Sequence, residues 1–597
     1  MTLTAQPISA RVLSERYAAR GESTLSHIYL RVAWALAQAE HPMHRERVFQ
    51  QFLQNMRRGA IGAGRIMANA GIRRSATMVN CFVQPVGLGS NGLTFDAGLA
   101  QACTTLAMGG GVGYDFSPLP PASAHTSDRL SLPSVCTAID RYDQACRLLQ
   151  FEGSRRGAQM AVLSCAHPDL LSFVQAKRGR TRWTTFNISV SVTDAFLEAV
   201  LADAPWPLVH SARPAAGVIA QGARRLDNGN WQYRMESARA LWSAIAQEAL
   251  VSSEPGLLYV DTINRANNLR ALENLTATNP CGEQPLPSYG SCVLGPINLS
   301  RLVVNPFGQA GPPSIAWRRL ATMVRTQVRL LDNVLELTRW PIPSQRAEAF
   351  SKRRIGVGAT GLSDMLTMHG LRYDGDAGRS MARKVVRFMR DHAYAASAAL
   401  AAERGAFPLY RADDYLAPGA IGDGLSVSTR EAIARHGLRH SHLISIAPTG
   451  SVSLAFADNC SSGVEPAFDW SYSRSVRFLG APPMQLTVQN HAWRLWRTMF
   501  GNDEPLPDYF VNTTSLSSES HLAMMESLQP YVDASISKTV PIPADCSPQH
   551  VQALFLQAWR SGLKGLTVFR PDSQMDAVMR PTRAESAPPT HECGTCF

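Results

Sequence analysis

The chain has 597 residues, 45% hydrophobic and 18% charged, the make-up of a globular protein with a substantial core. No apolar run approaches the ~18 residues of a bilayer-spanning helix, and the N-terminus lacks the pattern of a secretory signal, so no membrane role and a cytoplasmic setting are expected. A net charge of +11 favours polyanionic ligands. Without zinc-finger spacing or a long Lys/Arg run, small polyphosphates account for that charge and no nucleic acid partner is called for.

Residues 1–75 read as helical: Leu25, Ile28, Tyr29, Val32, Leu36 and Ala39 recur at helical spacing. A strand-like run, Thr77 to Val86, contains Asn80 and Cys81 and is interrupted by Pro85. Gly87-x-Gly89-x-x-Gly92 and Gly356-x-Gly358-x-x-Gly361 formally fit a dinucleotide fingerprint. The strand–helix–acid context fails, and a Rossmann domain is rejected. Met108 to Phe116 carries a glycine cluster, Gly109 to Gly111 and Gly113, that lets backbone approach a ligand closely. Arg155 and Arg156 sit in a basic turn suited to phosphate or base, or simply to solvent. Trp317 to Trp340 is an amphipathic helix through Leu320, Met323, Val324, Val328, Leu331, Val334 and Leu335. Ser380 to Glu403 is an Ala-rich helix followed by Gly405. Strands alternating with such helices indicate an α/β fold. In Ile444 to Ser453 a β run ends in Pro448-Thr449-Gly450-Ser451-Val452, where hydroxyls and backbone N–H groups can meet phosphate or cap a helix.

Eleven scattered cysteines argue against a secreted disulfide framework. Cys103, Cys136, Cys146, Cys165, Cys460 and Cys546 read as small buried hydrophobes. The last 25 residues turn to Pro, Ser, Ala and charge, a mobile tail ending in Cys593-Gly-Thr-Cys596. That pair, with His591, could begin a zinc site short of ligands. The reading preferred is a dithiol that exchanges with a buried pair, and no metal site is assigned.

The most informative stretch is Asn279-Pro280-Cys281-Gly282-Glu283, with Cys292 nine residues on. If strand-like, it would aim an amide, a thiol and a carboxylate at one small volume. Together with Gln284-Pro285 and Gly295-Pro296-Ile297-Asn298-Leu299, it closely resembles the finger loop of ribonucleotide reductases, most of all the adenosylcobalamin-dependent class. The likeness runs from about residue 77 to 570 and includes the Pro448–Val452 turn, Asp458 to Pro466 and Gly562 to Arg570.

That resemblance implies a ten-stranded α/β barrel, two five-stranded halves around the finger loop. It divides the chain into a helical region (1–75), the barrel (76–572) and a redox tail (573–597). Cys281 would become a thiyl radical that abstracts the ribose 3′-hydrogen. Glu283 would serve as general base and Asn279 would hold the ribose hydroxyls. Cys81 and Cys292 would supply two electrons and become a disulfide. Cys593 and Cys596 would reduce that disulfide and pass the demand to a thioredoxin-like partner. Substrate contacts are expected from Asn80, Gly110, Gly111, Asn279, Pro280, Cys281, Gly282 and Glu283, with Pro448, Thr449, Gly450, Ser451 and Val452 taking the phosphates. The implied reaction turns ribonucleotides, diphosphates being expected, into deoxyribonucleotides for DNA synthesis and repair.

The radical source follows by exclusion. There is no Tyr-Tyr relay and no C-terminal glycyl-radical motif, which leaves adenosylcobalamin as cofactor. The N-terminal region is short for an ATP-binding activity domain. The usual effector loop is replaced by Ser123 to Leu130, so a deoxynucleotide effector at Asp143, Arg155 and Arg156 is left open. A homodimer is compatible with the sequence. Two rivals remain: a catalytically silent nucleotide-binding regulator on the same barrel, and a thiol–disulfide oxidoreductase.

Overall fold

The computed structural model describes residues 3–89, 92–125, 127, 132–149, 157–179, 181–476, 484–570 and 579–581. The N-terminal region forms helices α1 (Pro7–Arg16), α2 (Leu25–Ala37), α3 (Pro42–Arg57) and α4 (Gly64–Asn69). In α2 the Thr24 side chain caps the His27 N–H. Ile28, Tyr29, Val32 and Leu36 are buried as their spacing predicts, and Ala39 falls just beyond the helix end.

Five strands run parallel in the first half: β1 (Cys81–Val83), β2 (Gly111–Asp115), β3 (Gln159–Ser164), β4 (Phe186–Val192) and β5 (Gly256–Tyr259). The second half contains β6 (Ser291–Asn298), β7 (Ile355–Thr360), β8 (Thr539–Pro541) and β9 (Gly565–Phe569). β6 is parallel to β7, and β8 to β9. The halves meet antiparallel at β1/β6 and β5/β9, giving one nine-stranded sheet edged by β7 and β8.

Between those edges lies the segment 442–446. Val357 N–H donates to Leu443 O (2.8 Å), Ala534 N–H to Ile444 O (3.1 Å) and Ser537 N–H to Ile446 O (2.9 Å). Both bridges are parallel. This segment acts as a tenth strand and completes the second five, although its ladder is too short to register as regular strand. Gly356 and Gly358 allow the close approach: a Cβ on Gly358 would lie 2.6 Å from Ser445 O. These glycines serve strand packing, as the rejection of a dinucleotide site requires.

Two long helices cover the outside. Trp317–Leu337 buries all seven residues predicted for its apolar face. Asp376–Arg404 ends at Gly405, whose φ of +84° suits glycine. Between them Asp332 is wholly buried and meets Arg353, Arg404 (2.8 Å), Arg439 (3.2 Å) and His440 (3.1 Å). Burial alone would raise its carboxyl pKa. The His440 hydrogen bond and the arginine charges prevail and hold it well below the usual range. Glu40, which follows α2, joins the same network through Arg329 and Arg404 (2.6 Å each) and ties the helical region to these helices.

Inside the barrel, Val83, Met160, Val162 and Leu258 pack around Ala277 and Leu286. Those last two residues form the base of a hairpin inserted from the β5–β6 connection. Each of the Val, Met and Leu side chains, once buried, contributes about 1.5–3 kcal/mol. The hairpin is therefore seated by the barrel's own apolar lining.

Candidate active site

The hairpin pairs Thr278 with Pro285 and Ala277 with Leu286, leaving Asn279–Gln284 as its tip. The tip is a turn, so the strand-like case considered from the sequence does not apply. Asn279 N–H donates to Gln284 O and Gly282 N–H to Asn279 O, 3.1 Å each. Gly282 has φ of +80°, a conformation that suits glycine. Strict alternation of side chains is lost there. Asn279 and Glu283 are buried and turn toward Cys81, while Cys281 is half-buried. Cys281 helps line an open cavity, with Asn187, Ser189, Lys538 and Thr539 among its other lining residues.

Both barrel halves hold the tip. From β4, Asn187 Nδ2 donates to Pro280 O (3.0 Å). From the other half, Ser535 N–H (2.9 Å) and Ser445 Oγ (3.2 Å) donate to Glu283 O. β2 makes room for it: a Cβ on Gly113 would lie 1.7 Å from Thr278 O, and one on Gly111 3.2 Å from the Pro280 ring. A Cβ on Gly110 would strike Phe82 and Thr105. The glycine cluster is thus first a seat for the hairpin, a role hidden in the sequence because the two segments lie far apart in the chain.

Cys81 and Cys292 are direct partners across the β1/β6 seam. Both are buried free thiols. Asn279 Nδ2 donates to Cys81 Sγ at 3.1 Å, while its Oδ1 accepts from Gln284 N–H at 2.9 Å. Cys81 Sγ lies 3.8 Å from Glu283 Oε1. Burial pushes the Cys81 thiol up, and the nearby Glu283 carboxylate adds to the shift. Burial likewise raises Cys292, against the opposing charge of Arg354. Burial also lifts Glu283 from 4.5 to about 7, although the Asn279 and Cys81 hydrogen bonds oppose it. Such a carboxyl is poised to exchange a proton near neutrality.

Several buried polar atoms here have no hydrogen-bond partner among the described residues: Asn80 Oδ1, Glu283 Oε2, Gln284 Nε2 and Ser291 Oγ. Leaving such atoms unpaired costs about 1–3 kcal/mol each, so the cluster is built for a polar ligand. Gln284 and Ser291 had no functional reading from sequence. Their signal was only adjacency to the Cys281 and Cys292 motifs.

Cys281 is disulfide-bonded in this structure, whereas the eight other cysteines among the described residues are free thiols.

The Pro448–Val452 turn lies at the end of the tenth strand. Thr449 adopts φ of +52°, strained for a β-branched residue. Its hydroxyl bonds Thr360 Oγ1 (2.8 Å) and accepts from Gly463 N–H (2.9 Å). Gly450 and Ser451 open a short helix, and Val452 joins the core.

The effector-site expectations fare differently. Asp143 is buried and accepts from the Thr185 N–H (2.9 Å) and hydroxyl (2.7 Å), with Arg147 on its other oxygen. The loop after β2 is fastened to neighbouring loops: Ala122 N–H donates to Asp169 (2.9 Å) and His125 N–H to Arg213 O (2.7 Å). Arg155, Arg156, Cys593 and Cys596 lie outside the described residues.

Comparison with known proteins fits this geometry. The family model "Ribonucleotide reductase, barrel domain" matches residues 79–569, and "Ribonucleotide reductase, all-alpha domain" matches residues 4–75. The chain belongs to the ribonucleotide reductase family. A vitamin B12-dependent ribonucleoside-diphosphate reductase of Mycobacterium tuberculosis (strain H37Rv) is 34% identical over 527 residues, covering 84% of this chain and 67% of that protein. Its namesake from Thermoplasma acidophilum is 30% identical over 527 residues, covering 85% and 63%. A ribonucleoside-diphosphate reductase subunit alpha of Synechocystis is 27% identical over 502 residues, covering 77% and 62%. The chain therefore spans about two thirds of the length of these relatives. No helix among the described residues is long and apolar enough to cross a membrane.

Proposed function

We propose that this chain reduces ribonucleoside diphosphates to 2′-deoxyribonucleotides with a cobalamin cofactor, taken in its adenosyl form. The observation that carries this reading is the pairing of two free thiols, Cys81 and Cys292, beneath a hairpin whose Asn279 and Glu283 both reach Cys81.

In this reading Cys281, once reduced and oxidised to a thiyl, takes the 3′-hydrogen of the ribose. Glu283 accepts the 3′-hydroxyl proton, and the 2′-hydroxyl leaves as water. Cys81 and Cys292 give up two electrons and two protons and close a disulfide, and the 3′-hydrogen returns from Cys281. Asn279, with the unpaired atoms of Asn80 and Gln284, holds the sugar. Raised thiol pKa values suit Cys81 and Cys292 to hydrogen donation, because both stay protonated until used. Cys593 and Cys596 would then restore the pair from a thioredoxin-like reductant. A reducing cytoplasm suits that cycle.

The cavity beside Cys281 fits the cofactor's reactive end. Its wall combines the hydroxyls of Ser189, Ser537 and Thr539 with apolar Met160, Leu258 and Phe569, so it offers hydrogen bonds and apolar contact to a nucleoside group. Homolysis of the cobalt–carbon bond is what adenosylcobalamin supplies when bound.

The test compares wild type with Cys281→Ser, given adenosylcobalamin and a dithiol, for deoxynucleotide formation and for disulfide exchange. Turnover by wild type and none by the variant is the expected result. Turnover without cobalamin that an iron- or manganese-loaded partner restores would overturn the assignment. Exchange activity that survives in the variant, without any wild-type deoxynucleotide product, would leave only an oxidoreductase.

A further inference from the structure

We propose that Tyr17, in the N-terminal helical region, is a positioning residue for the nucleotide's phosphates. This rests on the reading of Pro448–Val452 as the phosphate-binding turn. Tyr17 follows α1, is 3% exposed, and its phenol donates to Ser451 Oγ at 2.8 Å across 434 residues of sequence. Its ring stands edge-on to Phe456 at 4.8 Å, and Tyr29 of α2 stacks on the same Phe456 at 6.0 Å.

A second clamp lies just before α1. Gln6 Nε2 donates to Gln489 O (2.8 Å) and to Asp458 O (3.2 Å), and Gln6 Oε1 accepts from Gln489 N–H (2.9 Å). The two ends of α1 are thus fastened to the two ends of the stretch 451–458.

The hydrogen-bond chemistry gives this contact a direction. A serine hydroxyl has one proton to donate and two lone pairs to accept with. By donating to Ser451, Tyr17 fixes the orientation of that hydroxyl where the short helix opens. A phenol–hydroxyl–anion chain polarises each link in turn. The barrel grips the other side of the turn through Thr360 and Thr449. Ring packing alone would need no hydroxyl here, so the Tyr17 oxygen is the part to remove.

The experiment uses the full chain with Tyr17→Phe, Ser451→Ala and the double variant. It measures KM and kcat for a ribonucleoside diphosphate, competitive inhibition by the matching nucleoside, and melting temperature. Tyr17→Phe should raise the diphosphate KM about five- to tenfold, with kcat and nucleoside inhibition nearly unchanged. In the Ser451→Ala background the same change should add little. If Ser451→Ala weakens diphosphate binding and Tyr17→Phe does not, the role of Tyr17 is refuted while the phosphate turn stands. If Ser451→Ala has no effect on diphosphate binding, the turn itself has been misread and the proposal falls with it. A lowered melting temperature with equal loss for diphosphate and nucleoside would mark Tyr17 as merely structural and overturn the proposal.

Discussion

The cluster around Asp332 and the cluster around Cys81 are both buried, yet among the described residues the first has its buried side-chain polar atoms paired and the second leaves several unpaired. Asp332 meets three arginines and a histidine, and Glu40 meets two arginines and Asn333. Around Cys81, the atoms Asn80 Oδ1, Glu283 Oε2, Gln284 Nε2 and Ser291 Oγ have no partner among the described residues. A satisfied network holds elements together, while an unsatisfied one stores free energy for a ligand to recover. The pKa shifts agree in sign. Paired charges hold Asp332 down, whereas burial dominates at Glu283 and lifts it to about 7.

The sharpest way to break this contrast is Glu283→Gln. Turnover should fall about 10²–10⁴-fold, and stability should move the opposite way. The carboxyl rises from 4.5 to about 7 on folding. The folded state therefore binds the extra proton between those values, and stability is lost as pH rises through that window. The glutamine variant escapes that loss. Its melting temperature should exceed that of wild type at pH 8, and the excess should shrink toward pH 5. In wild type, kcat should drop as pH falls below about 7, because the base must be ionised. A pH–rate profile flat from 6 to 8 would refute that role.

Asp332→Ala is the counterpart. Three arginines lose their shared anion, and the fold should lose about 3–5 kcal/mol, read by denaturant titration. Protein that remains folded should keep its kcat and KM. A selective loss of kcat would show that the satisfied cluster also serves chemistry.

The smallest effect is expected from Asn187→Ala. It removes one hydrogen bond to the Pro280 carbonyl, worth about 1 kcal/mol. A several-fold lower kcat with an unchanged KM would show that the hairpin tip has loosened. Unchanged kcat would mean that Ser445 and Ser535 suffice to hold it.

Much of this was legible in the chain. Helical periodicity found the 317–337 helix and its seven buried residues, and the motif around Cys281 marked the hairpin. Side-chain direction was not legible. Alternation assumes an extended backbone, and Gly282 at φ +80° makes the tip a turn. Nor could spacing reveal that Asp143 spends its carboxylate on Thr185. That depends on a contact between segments 42 residues apart. The tenth strand was visible as a β run, but its partners come from opposite edges of the sheet and only folding brings them together.

Gly113 carries a consequence for how such a chain can change over time. The hairpin that carries Cys281 is located by an atom that is missing: one methyl group on β2 would occupy the space of the Thr278 carbonyl. A constraint on that hairpin therefore reaches a residue of a distant strand, and that position is closed to every side chain, however small.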